Sequence, residues 1–202
     1  FYSREYGGSI EDHLAFSLVP GDLVNTGSSH NQWVNEFFGQ SKNLYRHVPL
    51  YPALGNHEAN ANLYYMYFDL FDNAPAGLNE HCYWFDYQNI RIITLDSNGP
   101  FDSQSQLTWL DDVLADACAN TEIDFLLVQF HHPHKSESWT PGESSFSTAA
   151  VERVEQFSTD CGKPSVHFFG HTHSYSRGQS RDHDHLMVNV ASGSGSLDYW
   201  WT

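Results

Sequence analysis

The sequence predicts an α/β sandwich with a mixed sheet, and three observations carry that prediction. Short apolar runs alternate with segments of helical period, two of the runs are apolar almost throughout, and two others lie close enough to pair as a hairpin. Near-continuous apolar runs are what strands covered on both faces require, and a hairpin adds an antiparallel pair to otherwise parallel neighbours. The strand-like runs are "LAFSLVP" (14–20), "YWFDY" (83–87), "IRIITL" (90–95), "IDFLLVQF" (123–130), "SVHFF" (165–169) and "LMVNVA" (186–191). Those starting at 123 and 165 are the near-continuous ones, and 83–87 and 90–95, split by Gln88-Asn89, read as the hairpin.

Helices are expected between them. "SQSQLTWLDDVLADA" (103–117) repeats apolar residues at Leu107, Leu110, Val113, Leu114 and Ala117, with Asp102 or Ser103 placed to cap it. "SSFSTAAVERVEQFST" (144–159) has the same pattern, and 31–45 and 60–71 carry less regular versions of it. The whole chain reads as one domain over residues 1–202, large enough to bury a substantial core.

Composition excludes some functions. The 9 Lys and Arg against 25 Asp and Glu give a formal charge of −16. Binding to duplex nucleic acid rests on cationic contacts with phosphates, and binding to an anionic membrane surface needs basic clusters, so neither is expected. A small phosphorylated substrate stays open, because bound metal ions reverse the local field. No apolar run approaches the roughly 20 residues of a membrane helix. The chain opens on Phe1 with no visible signal peptide, as a mature protein or a fragment would. Of the three cysteines, Cys118 and Cys161 each close a helix-like segment before an apolar strand. A disulfide between them and three free thiols both fit the sequence.

In open α/β sheets, ligands bind beyond the carboxyl ends of the strands. "LAFSLVP" runs into Gly21-Asp22, and "VPLYPAL" (48–54) into Gly55-Asn56-His57-Glu58. "IDFLLVQF" runs into His131-His132-Pro133, and "SVHFF" into Gly170-His171-Thr172-His173. Each piece alone has an ordinary explanation as a turn or a capped strand end. Together they place oxygen and nitrogen donors at four strand ends, a set suited to Zn, Fe, Mn or similar divalent ions.

The ordered motifs "GD", "GNHE", "HHP" and "GHTH" resemble those of the calcineurin-like metallophosphoesterase superfamily. "GHTHSYSRG", "YWFDYQNIRIITLDSN" and "QSQLTWLDDVL" are most similar to its purple acid phosphatase-like branch, and the similarity runs from about 14 to about 195. The resemblance implies a two-sheet α/β/β/α sandwich and a dinuclear site, holding two divalent ions, that hydrolyses phosphate monoesters or diesters. Asp22 would bridge the metals; Asn56, His131 and His171 would complete one metal, and His173 would serve the other. His57 would face the substrate and stabilise or protonate the leaving oxygen. His132 is the weaker ligand choice, because the first histidine of the motif binds metal in this family. Asn25, His134, Tyr175 and Arg177 are candidate substrate contacts.

Two departures from the family pattern stand out. The early Asp-x-His or Asp-x-Gly motif has no counterpart: Asp12-His13 precedes the first strand run and would lie about 30 Å from Asp22, at about 3.3 Å per strand residue. The family's first strand is therefore expected upstream of Phe1, and the "WW" at 200–201 suggests continuation downstream. In place of the tyrosine that ligates ferric iron in true purple acid phosphatases stands Asn25, so a colourless, divalent enzyme is expected. "RDHDH" (181–185), His30, His47, His81 and His167 are read as structural. The metallo-β-lactamase fold is rejected because its His-x-His continues with an aspartate where this chain has Tyr175. No GxSxG elbow supports a serine enzyme. A non-catalytic, metal-stabilised module is the alternative from another class. Loops 22–34, 96–106 and 132–147 are expected to shape specificity. Acidity, a possible disulfide and the habit of the branch favour a secreted or periplasmic location.

Overall fold

The computed structural model describes Glu5, residues 7–191 and residues 196–198, so Trp200 and Trp201 lie outside the described residues. Two sheets stack face to face. The smaller pairs β1 (Ser17–Val19) with β2 (Leu50–Pro52) in parallel. The larger is mixed and holds β3 (Tyr83–Tyr87), β4 (Ile90–Thr94), β5 (Phe125–Gln129), β6 (Ser165–Phe169), β7 (Ser176–Gln179) and β8 (His185–Asn189) in the order β3-β4-β5-β6-β8-β7. The expected hairpin is β3–β4, turning at Gln88 with its φ at 53°; β4, β5, β6 and β8 run parallel.

Helices cover both outer faces. Helix α1 is continuous from His30 to Tyr45, with Trp33–Phe38 wound as a π-helix; α2 spans Asn62–Tyr67, α3 Gln104–Ala119 and α4 Ser145–Cys161. On one side, Leu107, Leu110 and Val113 of α3 and Ala150, Val151 and Val154 of α4 bury Ile93, Leu95, Leu126 and Val128 of the large sheet. Between the sheets, Tyr83, Phe85 and Ile92 pack on Phe16, Leu18 and Tyr51. Trp33, Phe37 and Tyr64 close the far side over Val19, Leu50 and Leu54. The result is the α/β/β/α order that the motifs implied.

Local signals fix the long helices. Ser103 accepts from the Gln106 amide at 3.4 Å and Ser144 from the Ser147 amide at 3.4 Å, so serine, not Asp102, caps α3. Gly162, left-handed at φ 65°, stops α4. Just beyond, the Lys163 ammonium donates to the carbonyls of Ala117, Cys118 and Asn120 and caps the end of α3. Cys118 and Cys161 are bonded, joining the ends of the two helices, and Cys82 is buried and free.

Some expectations need correction. The strand expected over 14–20 is only three residues long, because Phe16 turns into the aromatic cluster between the sheets. The helix expected over 60–71 stops at Tyr67, where Phe68 is extended at ψ 133°. Residues 176–179, outside the expected strand runs, form the edge strand β7 paired antiparallel to β8. "RDHDH" does turn that hairpin, but its last member, His185, is fully buried in β8. No described helix is long and apolar enough to cross a membrane.

Candidate metal centre

Parallel pairing brings the carboxyl ends of β1, β2, β5 and β6 to one rim. Side chains far apart in sequence meet there. Asp22 Oδ2 lies 3.1 Å from His131 Nε2, and Asn56 Oδ1 lies 2.9 Å from both His131 Nε2 and His171 Nδ1. His171 Nδ1 and His131 Nε2 are 3.2 Å apart. The ligand atoms of Asp22, His131 and His171 all fall within 4.8 Å of one another, the group of this kind found among the described residues.

The backbone is bent to achieve this. Asp22 and His171 both adopt left-handed φ, 56° and 66°, a conformation that costs a non-glycine residue of order 1–2 kcal/mol. The glycines before Asp22 and Asn56 let the two loops cross closely. A Cβ on Gly21 would sit 2.5 Å from the Gly55 amide, and one on Gly55 would sit 2.2 Å from the Asp22 amide. Glu58 then locks the crossing. Its buried carboxylate accepts from the amides of Asp22, Leu23 and Gly55, each at 2.8 Å, and of Val24 at 3.3 Å. Glu58 was legible only as the last letter of "GNHE", with no role attached.

Ring orientation follows from the carbonyls. A carbonyl only accepts, so His131 Nδ1, 2.8 Å from the Pro20 oxygen, carries the hydrogen and Nε2 turns into the cluster. Likewise His57 Nδ1 donates to the Asn25 oxygen at 2.8 Å and His173 Nδ1 to the Ser196 oxygen at 2.9 Å, leaving each Nε2 available. His57 Nε2 stands 4.0 Å from Asp22 Oδ2, and the His57 amide donates to Asp22 Oδ1 at 3.0 Å.

Electrostatics fit a cation. Burial alone would raise the pKa of Asp22, but the hydrogen bond and charge of His131 outweigh it and hold the carboxylate below its ordinary value. Burial opposes the charge on His131, yet Asp22 raises it above the usual histidine value. Burial and the charge on His131 push His132 down to about 3 and His171 to about 4. Glu58 is raised by burial and by the charge on Asp22. A carboxylate oxygen, an amide oxygen and two ring nitrogens thus converge on one spot. Oxygen and imidazole donors of this kind suit a divalent ion, so the donor set fits the metal that the motifs imply.

The other predicted residues separate. His173 is next along the chain but outside the close group; its amide donates to Asp198 Oδ2 at 2.8 Å. Asn25 is exposed and binds through its backbone to His57 and Glu36. His134 and Arg177 line a separate cavity of about 180 Å³, and Tyr175 is 63% exposed. Asp12 bonds Ser9 at the entry to β1, the opposite end from Asp22. Sequence reasoning missed Trp139, whose ring is 5.2 Å from that of His171, and Ser97, whose Oγ lies 2.9 Å from His132 Nδ1. Ser97 lies in "YWFDYQNIRIITLDSN" and both fall in loops expected to shape specificity, but only the fold shows that they approach His132 and His171.

The family of calcineurin-like phosphoesterases matches residues 8–175, and the chain belongs to it. Among solved structures it is similar to PPD1, a purple acid phosphatase from yellow lupin (Lupinus luteus) seeds. That likeness has 17% identity and a TM-score of 0.64, over 92% of this chain and 38% of the lupin chain. It is also similar to GAP50, the anchor in the inner membrane complex of Plasmodium, at 15% identity and a TM-score of 0.60, over 94% of this chain and 67% of that one. A third likeness is to PhoD, at 12% identity and a TM-score of 0.54, over 86% of this chain and 48% of that one. The chain thus spans little more than a third of the lupin enzyme's length, and at these identities the likenesses show the fold alone. No curated protein sequence matches.

Proposed function

We propose that this chain is a metal-dependent phosphoesterase that hydrolyses phosphate monoesters, with diesters as the secondary class. One observation carries the reading: Asp22, Asn56, His131 and His171, drawn from four strand ends, each put a donor atom within 3.2 Å of another member, and the Asp22, His131 and His171 atoms all lie within 4.8 Å of one another.

Two bound divalent ions, Zn, Fe, Mn or similar, would supply an activated water and a clamp on the phosphoryl oxygens. Asp22, Asn56, His131 and His171 would hold the first ion, with Asp22 bridging to a second that takes His173 Nε2. His57 fixes its ring through Nδ1 on the Asn25 carbonyl, so Nε2 is aimed to hold a proton for the departing oxygen. Glu58 keeps the Asp22 loop rigid through its four amide bonds. Because Asn25 offers no phenolate, the loaded protein should be colourless. The Cys118–Cys161 bond supports a location in the periplasm or outside the cell, where disulfides persist.

The test is elemental analysis of the purified chain beside turnover of p-nitrophenyl phosphate and its bis-ester. Two ions per chain with faster monoester turnover are expected. The position of His173 outside the close group favours a second reading, a single-metal binding module. One ion with no turnover of either ester would establish it.

A further inference from the structure

On the Asn56 side of the metal centre lies a cavity of about 740 Å³, lined among others by Asn60, Ser97, Asn98, Phe101 and His132. That size is within the range of small-molecule sites. It draws on two of the three loops expected to shape specificity, and on none of the four residues expected to contact substrate. We propose that this cavity receives the leaving group of the ester, and that it selects an uncharged group rich in hydrogen-bond donors and acceptors, a nucleoside or a sugar. The inference rests on the phosphoesterase reading, because the cavity opens on the centre through Asn56 and through His132, whose ring is 4.4 Å from that of His171.

The lining decides the chemistry. Among the described residues that line the cavity there is no lysine or arginine, so none of them balances a second phosphate. Its two carboxylates are already engaged. Asp96 is held at 2.7 Å by His81 Nδ1 and at 2.7 Å by the Asn98 amide group, and Glu143 accepts from the Ser136 amide at 2.9 Å. The nearest cation is the exposed Lys135 ammonium, held 3.7 Å from Glu143 Oε2 outside the lining, so an anionic extension of the substrate would meet Asp96 with no cation in the wall to offset it, a repulsive element of the kind that makes sites selective. Neutral polar groups remain free to bind. Asn60 Oδ1 accepts from the Tyr65 hydroxyl at 2.6 Å, which leaves its Nδ2 hydrogens available. Asn98 spends both amide hydrogens on Leu54 O and Asp96 Oδ1, which leaves its oxygen as an acceptor. Phe101 gives the wall a flat apolar patch, its ring held by stacking on His81 at 3.8 Å. A network from Tyr65 through His81 to Asp96 therefore positions the wall before any ligand arrives.

The experiment compares adenosine 5′-monophosphate, glucose 6-phosphate, adenosine 5′-diphosphate and p-nitrophenyl phosphate on the metal-loaded chain and on Asn60→Asp. It also measures binding of adenosine and of glucose by ligand-observed NMR. The monophosphates should exceed the diphosphate in kcat/KM by about tenfold or more. Asn60→Asp, equal in shape, should raise KM for the preferred monophosphate by about tenfold, a larger loss than on p-nitrophenyl phosphate, and weaken binding of the free alcohol. Which alcohol binds separates nucleoside from sugar. Equal use of the diphosphate, or no binding of either alcohol, would overturn the inference. Absence of all turnover with adenosine or glucose still bound and sensitive to Asn60→Asp would instead fail the phosphoesterase reading and leave the cavity's selectivity standing.

Discussion

Strand β6 carries one histidine in its middle and delivers another two residues past its end, and the two have opposite surroundings. His167 is fully buried; its Nδ1 lies 2.7 Å from His185 Nε2, and His185 Nδ1 lies 2.7 Å from the Ser165 hydroxyl. Its ring stacks on Phe130 at 5.2 Å and on Phe169 at 5.4 Å. His171 instead faces an amide oxygen and another ring nitrogen, with its backbone in the left-handed region. The difference teaches that histidine chemistry here is set by position along the strand. Inside the ladder, neighbours fill both sides of the ring and it behaves as a core residue. Beyond the last ladder bond, the chain is free to turn, and four such turns aim their donors at one point.

The strongest way to break the contrast is to remove the charge on which only one of the two groups depends. Asp22→Asn should abolish phosphatase activity, a loss beyond the about 10- to 100-fold that outer positions cost, while leaving the melting temperature of the chain nearly unchanged. A variant that kept its activity would show that the convergence is not a metal site. Next in size, Cys118→Ser opens a bridge spanning 43 residues between the helices that cover β6. Loop-closure entropy puts the loss of stability at about 4 kcal/mol, read in urea, and reducing agent should reproduce it in the unaltered chain. Glu58→Gln sharpens the comparison from the other side. It removes a carboxylate that touches no proposed ligand side chain, only the amides that place them, and metal affinity should fall about 10- to 100-fold.

The smallest effect concerns the buried pair. Burial, then the charges of His134 and His183, lower His185 to about 4, so the ring is neutral in the fold. A lowered histidine pKa contributes full stability above the unfolded value near 6.5, and that contribution is lost as pH falls toward 4. Urea denaturation should therefore show stability declining by about 2 kcal/mol between pH 7 and 5 from this residue, and His185→Gln should flatten that limb. An unchanged limb would mean that His185 is already charged in the folded protein.

Much of this was open to inspection in the linear chain. Asp22, Asn56, His131 and His171 each follow an apolar run, and apolar runs report strands because a strand buried on both faces is mostly apolar, its few polar residues being paired as His167 is with His185. The ends of such runs are then the places where polar side chains concentrate, so the donors could be named before the fold was known. The capped helices 104–119 and 145–161 were equally readable, since caps and 3.6-residue period are local properties. The edge strand 176–179 was not, because its ladder partner, not its own composition, makes it a strand. Nor was the burial of His185, whose neighbours in "RDHDH" are turn residues.

By itself the sequence determined the layers, the order of the motifs and the identity of the donors, all of which depend on residues close together in the chain. Only the tertiary structure decided which nitrogen of each ring faces the centre, that Glu58 braces Asp22, that His173 stands outside the close group, and that Asn60, Phe101 and His132 share one wall. Those facts depend on carbonyls, amides and rings brought together across tens of residues, and distances of that kind leave no trace in local periodicity.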